Sequence, residues 1–446
     1  SRDALHLVAK LPYVNPDQIG ITGHSSGGRV GDMLCKQLEE EGSELQFASI
    51  ILVDNDPYYK DSEGNYVNNY GSVNYGVVAS RYDDWFFSIQ NEAGDWVVRP
   101  RDYIRGDNCK SFLSFGGDPA DFPGTPEAGK YYTQVIDGKE ATRVVYTPGE
   151  IHSWGSLSPV SMKYTVEFFQ NTLPAPNPIP ASGSLGFFKE CVSFVGVVGL
   201  VMFMMYFPIV LLETRLFAPL RSEELVPPAP APGDTKGRLW YWGGLIAGAV
   251  FSYLAFHWFM RPIYNMPDEK LPAILPQTQT LALGAWAVAS GVFTLVLLFI
   301  NYQTNLKAKG FDLAERGVIL PREKLGRTIL LAVVTGCATL SIVFFADYFF
   351  NTNFQFWAIM FRAFDAEKVP YMLWALPLFL MFYVPNSIAC QSFRYNEIGK
   401  GGWLNTLIVA FFNAASIIYI EIVQYSVFVA TGQPFWHVES FDRQLG

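Results

Sequence analysis

The sequence predicts an α/β unit followed by an all-α transmembrane region of about six helices. Three observations predict it. Gly23-His24-Ser25-Ser26-Gly27-Gly28 sets a G-x-S-x-G pattern between a strand-like run and a helix-like run. Six later stretches are long and apolar enough to cross a bilayer, which takes about 20 residues. Between the two, residues 174–186 are rich in Pro, Ala, Ser and Gly, the composition of a linker. The expected organisation is therefore 1–173, a linker at 174–186, and a helical membrane domain over 187–446.

Composition agrees with this division. Half of the 446 residues are hydrophobic and only 16% are charged, which is apolar for a soluble chain. Residues 1–173 carry a net charge of −10 and the remainder +1, which together give the −9 of the whole chain. An acidic first part argues against nucleic acid as a partner. The five cysteines form no C-x-x-C and no Cys/His cluster, so neither a metal nor a redox cofactor is implied. A Cys35–Cys109 disulfide has little to support it, and Cys191, Cys337 and Cys390 read as inert packing residues.

The elements of the first part follow in order. Residues 2–11 read as a helix and 18–22 as a short buried strand. Residues 29–41 read as a helix, with Val30, Met33, Leu34 and Leu38 at helical spacing. Residues 47–53 form a buried strand that ends at Asp54-Asn55-Asp56-Pro57. A Tyr- and Asn-rich stretch leads to a strand at 75–80, which ends in Arg81-Tyr82-Asp83-Asp84. Residues 86–108 are irregular and are candidates to cover a site. The apolar run 109–115 is a second candidate strand, closed by the turn Gly116-Gly117-Asp118-Pro119. Residues 142–146 read as the last strand, Gly149-Glu150-Ile151-His152-Ser153-Trp154 as the turn after it, and 158–173 as an amphipathic closing helix.

Strand, sharp turn and helix around G-x-S-x-G are the setting of a nucleophile elbow. Glycine flanks the serine because side chains at 23 and 27 are expected to collide with neighbouring backbone. The helix behind aims free N–H groups at Ser25, so the Ser26 N–H is the expected oxyanion donor. The run Leu11-Pro12-Tyr13-Val14-Asn15-Pro16-Asp17-Gln18-Ile19-Gly20-Ile21-Thr22-Gly23-His24-Ser25-Ser26-Gly27-Gly28 resembles the approach to the elbow in the α/β-hydrolase superfamily, nearest to its dienelactone-hydrolase-like and esterase branch. The resemblance covers residues 1–173 and is most specific at the elbow and at the C-terminal end of that span. It implies an α/β-hydrolase fold that is N-terminally incomplete. The first strands, a signal sequence and the second oxyanion donor are expected before residue 1.

A serine nucleophile needs a base and a carboxylate to orient it. Residues 1–173 hold three histidines. His6 lies on the helix before the elbow strand, and His24 cannot easily face its own neighbour's hydroxyl. By elimination, and by the resemblance, His152 is the base. The resemblance places the acid after the next-to-last strand, often as G-x-x-D. Asp83 fits that turn, with Ser80 where glycine is expected, and Asp84, Asp118 and Asp121 are the alternatives. The expected protein is a membrane-anchored serine hydrolase. It would cleave an ester, with an amide as second choice, of a lipid- or envelope-associated substrate, with no cofactor. The rival is a transporter or membrane-complex subunit whose hydrolase-like part only docks partners.

The six apolar runs lie near 190–212, 239–260, 279–301, 328–350, 371–390 and 403–430. Asp347 and Glu421 sit inside them. The plain reading puts Asp347 near an interface and pairs Glu421 between helices; the other reading is an ion path. Twelve basic residues fall in one set of loops, among them Lys307, Lys309, Lys324, Arg394 and Lys400. Four fall in the other set: Arg261, Lys270, Arg362 and Lys368. The positive-inside rule makes the first set cytoplasmic and the α/β part extracytoplasmic. The expected membrane is the plasma membrane. A cysteine introduced at Lys270 or His437 should react with an impermeant maleimide on intact cells, and one at Lys324 only after lysis. Labelling at Lys324 but not at Lys270 would invert the orientation.

Overall fold

The computed structural model describes residues 2–83, 85–91, 96–183, 185–222, 233–264, 266–357, 359–393, 402–433 and 435. The chain divides into two compact units. One is Ser1–Val192 with Gln424–Val438 and Gly446; the other is Ser193–Val423 with Glu439–Leu445.

The first unit is built on a sheet. Its elements are α1 (Arg2–Ala9), β1 (Gly20–His24), α2 (Ser26–Glu40), β2 (Ser49–Val53), β3 (Asn74–Val78), the short hairpin β4 (Ile89–Gln90) and β5 (Trp96–Val98), α3 (Asp107–Leu113), β6 (Tyr132–Ile136), β7 (Lys139–Tyr146) and α4 (Pro159–Thr172). The strand order is β1-β2-β3-β7-β6. The first four run parallel, and β6 pairs antiparallel to β7.

The central strands are continuous apolar runs because both faces are covered. Ile50, Leu52, Tyr75, Val77 and Val145 pack on one side with Leu34 and Leu38 of α2 and Phe112 and Leu113 of α3. Ile51, Val53, Val78, Val144 and Tyr146 pack on the other side around Phe168 of α4. This alternation is the period-2 direction of strand side chains.

Several expectations change. Residues 109–113 of the run 109–115 belong to helix α3, not to a strand; β3 and β7 pair directly, which leaves no ladder position between them. β1 is half exposed rather than buried, because it is an edge strand that pairs only with β2. On α2 the buried stripe is Gly28, Gly31, Asp32, Leu34, Cys35 and Leu38, so Val30 and Met33 face outward. The hairpin β6–β7 is an addition. Its turn is Asp137-Gly138, both at positive φ, as a two-residue hairpin turn requires. No disulfide joins the five cysteines; Cys35 and Cys109 are buried, while Cys191 and Cys337 are exposed rather than packed.

The glycines of the turn also differ from expectation. A Cβ on Gly23 would lie 2.4 Å from the Gly27 carbonyl carbon, and one on Gly28 would lie 2.9 Å from the Gly23 oxygen. A Cβ on Gly27 would meet no described atom within 4 Å. The close approach is between β1 and the first turn of α2 at 23 and 28, and Gly27 points away from it.

The other elements are helical: α5 (Leu185–Leu211), α6 (Thr235–Ala255) continued through a π turn into α7 (Arg261–Tyr264), α8 (Thr278–Asn301), α9 (Arg322–Phe350), α10 (Val369–Gln391) and α11 (Trp403–Thr431). A hairpin of β8 (Phe354–Phe356) and β9 (Ile359–Phe361) joins α9 to α10. Among the described residues, six helices are long and apolar enough to cross a membrane, which makes the chain an integral membrane protein.

Pro385 inside α10 leaves the Met381 carbonyl without its helical donor. That carbonyl faces Gly291 of α8, where a Cβ would come within 1.6 Å of it. Small residues allow this kind of backbone contact between membrane helices. Asp347 is exposed three residues before the end of α9.

Gly23→Ala should destabilise the first unit by about 1–3 kcal/mol, because backbone must move to admit the methyl. Gly27→Ala should be neutral or stabilising by about 0.5–1 kcal/mol, since alanine is the better helix former. Thermal unfolding of the two variants checks this, and equal losses would contradict it.

Candidate active site

The carboxyl ends of the four parallel strands bring the candidate residues together. Ser25 follows β1, Asp54 and Asn55 follow β2, Asp83 lies beyond β3, and His152 lies beyond β7. This is the edge at which α/β sheets gather their functional loops.

Ser25 has φ 53° and ψ −122°, a conformation that costs about 1–3 kcal/mol for a residue with a side chain. Neighbouring groups hold it there. Its N–H donates to the Val53 carbonyl at 3.0 Å. Its own carbonyl accepts from Arg29 N–H at 3.0 Å and from Asn55 Nδ2 at 3.0 Å. Ser26 is the first residue of α2, where a backbone N–H has no acceptor within the helix.

His152 stands in the turn after β7, which is tied to the loop beyond β3 by a bridge between Tyr82 and Ile151. Its Nε2 is 2.9 Å from Ser25 Oγ, and its Nδ1 is 2.8 Å from Asp83 Oδ2. Asp83 is fully buried. Its other oxygen accepts from Trp85 N–H at 2.7 Å and Phe86 N–H at 3.0 Å, so the carboxylate cannot swing. An accepting carboxylate sets Nδ1 as the protonated nitrogen and leaves the Nε2 lone pair for the serine hydroxyl. Burial pushes the Asp83 carboxyl above its ordinary range. The hydrogen bond and charge of His152 and the Trp85 N–H act in the opposite sense.

The other candidates separate cleanly. Asp118 is exposed and caps a short turn through Ala120 N–H at 2.9 Å, and Asp121 is exposed in the same turn. Asp84 lies outside the described residues. His6 is exposed on α1.

His24 does turn away from Ser25, but not into solvent. Its Nε2–H donates to the His152 carbonyl at 2.8 Å and lies 3.5 Å from Asp54 Oδ2. Asp54 is buried at φ 52°, and its Oδ1 accepts from Ser80 N–H at 3.2 Å. A side chain at Gly155 would enter the Asp54 carboxylate, 1.9 Å away. His24 and Asp54 thus brace the segment that carries His152, a long-range role that no local sequence pattern signals.

His24, Asp54 and His152 offer ligand atoms within 4.8 Å of one another. Both nitrogens of His152 and Nε2 of His24 already have partners, so a metal ion here would displace the Ser25–His152 hydrogen bond. Over the histidine lie Phe86, stacked at 5.5 Å, and Trp85 at 6.0 Å, the latter partly exposed. Comparison of the chain with family models, with curated proteins and with solved structures gives no match.

Asp83→Asn removes the acceptor that sets the His152 tautomer. Reaction of Ser25 with a fluorophosphonate should slow by about 10⁴-fold, while Asp118→Asn should leave it unchanged. A raised Asp83 carboxyl is ionised above its shifted value and loses its charge as pH falls through it. The labelling rate should therefore decline on the acid side at a pH above the ordinary carboxylate range of about 3.9. A rate that holds down to pH 4 would contradict the assignment.

Proposed function

We propose that the chain is a membrane-anchored serine hydrolase with an α/β-hydrolase-type catalytic unit, cleaving an acyl ester by a Ser-His-Asp mechanism. The observation that carries the reading is the unbroken chain of hydrogen bonds from Ser25 Oγ through the His152 ring to Asp83. Ser25 Oγ attacks the ester carbonyl while His152 Nε2 takes its proton. Asp83 stabilises the imidazolium that forms, and the Ser26 N–H donates to the oxyanion. The imidazolium then protonates the leaving alkoxide. Water, deprotonated by His152, releases the acid and restores Ser25.

The aromatic pair Trp85 and Phe86 beside His152 favours an apolar acyl or aryl group over a charged one. A lipid- or envelope-associated ester fits a catalytic unit joined to membrane helices, with the unit on the extracytoplasmic side of the plasma membrane. The docking-module reading would be favoured by an acid out of reach of His152, and Asp83 is within hydrogen-bond distance.

The full chain in detergent or nanodiscs should hydrolyse p-nitrophenyl acyl esters. Ser25→Ala should lower turnover by at least about 10³-fold and abolish fluorophosphonate labelling. Undiminished labelling of Ser25→Ala would remove this nucleophile, and folded protein with no turnover of any ester would favour the docking module.

A further inference from the structure

We propose that the helical unit contains a binding site for the carbonyl of an uncharged lipid, set in a cavity between α6, α8, α10 and α11. The cavity has a volume of about 210 Å³, and all the residues that line it belong to the second unit. A cavity of about 150 Å³ accommodates a benzene ring. This one therefore takes a carbonyl group and several methylenes, with the rest of a lipid lying outside it.

The polar group that defines the site is Asn405. It is fully buried, and its Oδ1 accepts from the Tyr241 hydroxyl at 2.5 Å. That bond fixes the carboxamide, and Nδ2 has no acceptor among the described residues. A buried, unpaired amide N–H₂ costs about 1–3 kcal/mol, and a ligand oxygen would offset it. Ser290, nine-tenths buried deeper along α8, has a second unpartnered hydroxyl on the same cavity. A serine hydroxyl can turn to its own helix backbone, whereas the Asn405 amide is already anchored.

The walls select the ligand. No lining residue is charged, so neither an anionic nor a cationic head would be matched. Asn405 is the third residue of α11, and Tyr241 lies in the second turn of α6, which puts the polar end near the helix termini. Trp286 and Phe293 of α8 line the deeper part. A lipid has this order of groups, with its carbonyls near the interface and its methylenes further in. Gly248 of α6 lines the cavity with open space where a side chain would be, so a larger residue there can fill the site without displacing backbone.

The test uses the full chain as Ser25→Ala, so that the proposed hydrolysis neither consumes the probe nor decides the result. Nanodiscs of diether phosphatidylcholine supply a bilayer without carbonyls. A monoacylglycerol with a diazirine in its acyl chain should crosslink saturably to the α6, α8 or α11 segments at the cavity. Unlabelled monoolein should compete about tenfold better than its ether analogue, the effect of one hydrogen bond. Asn405→Leu should abolish that preference, and Gly248→Leu should abolish the saturable crosslink. Should Asn405→Leu fail to fold, the ester-to-ether ratio and Gly248→Leu still decide. Equal competition by ester and ether, non-saturable labelling, or labelling that survives Gly248→Leu would each overturn the proposal.

Discussion

Ser25 is held in a backbone conformation that a residue with a side chain avoids, and the arrangement of the first unit follows from what holds it. Two glycines let the end of β1 touch the start of α2. The Val53 carbonyl accepts from the Ser25 N–H, and Asn55 Nδ2 and the Arg29 N–H donate to the Ser25 carbonyl. The strain of a few kcal/mol is outweighed because three parts of the fold determine the same turn. Parallel pairing then fixes where the other loops emerge. With β1, β2, β3 and β7 in register, the segments holding Asp54, Asp83 and His152 all leave the sheet at the edge where Ser25 stands.

His152 needs such support, since the turn that bears it has little structure of its own. Asp83 orients the ring, and His24 holds the backbone carbonyl of the same residue. Asp83 is in turn locked by two backbone N–H groups from the residues that stack on the imidazole. Orientation therefore passes from backbone to carboxylate to ring without a solvated link. In the helical unit the same economy of buried polar groups applies with a different solution. Pro385 frees a carbonyl against Gly291, and Tyr241 binds one end of Asn405.

Much of this was legible in the sequence, for identifiable reasons. The G-x-S-x-G turn, the histidine after the last strand and the six apolar runs are local patterns, and each lies where it was expected. Asp83 was one of four candidates, because no local pattern distinguishes a carboxylate that reaches across a sheet from one that caps a turn. Residues 109–115 resemble a strand in sequence because a short apolar run has no period that separates strand from buried helix. The apolar character of Val30 and Met33 points inward, but small or polar Gly28, Gly31 and Asp32 join Leu34, Cys35 and Leu38 in the buried stripe instead. The roles of His24 and Asp54 are long-range, 128 and 98 residues from the segment they brace, and composition carries no trace of such contacts.

In the proposed mechanism, a Ser25 activated by His152 and Asp83 forms a covalent acyl intermediate. Rapid mixing of the full chain with p-nitrophenyl butyrate, followed by acid quench and peptide mass analysis, tests it most directly. The account predicts a butyryl group on the peptide that holds Ser25, formed within the first turnover and absent when His152 is replaced by alanine. Turnover of the ester with no acyl group on Ser25, or an acyl group that persists without His152, would contradict it.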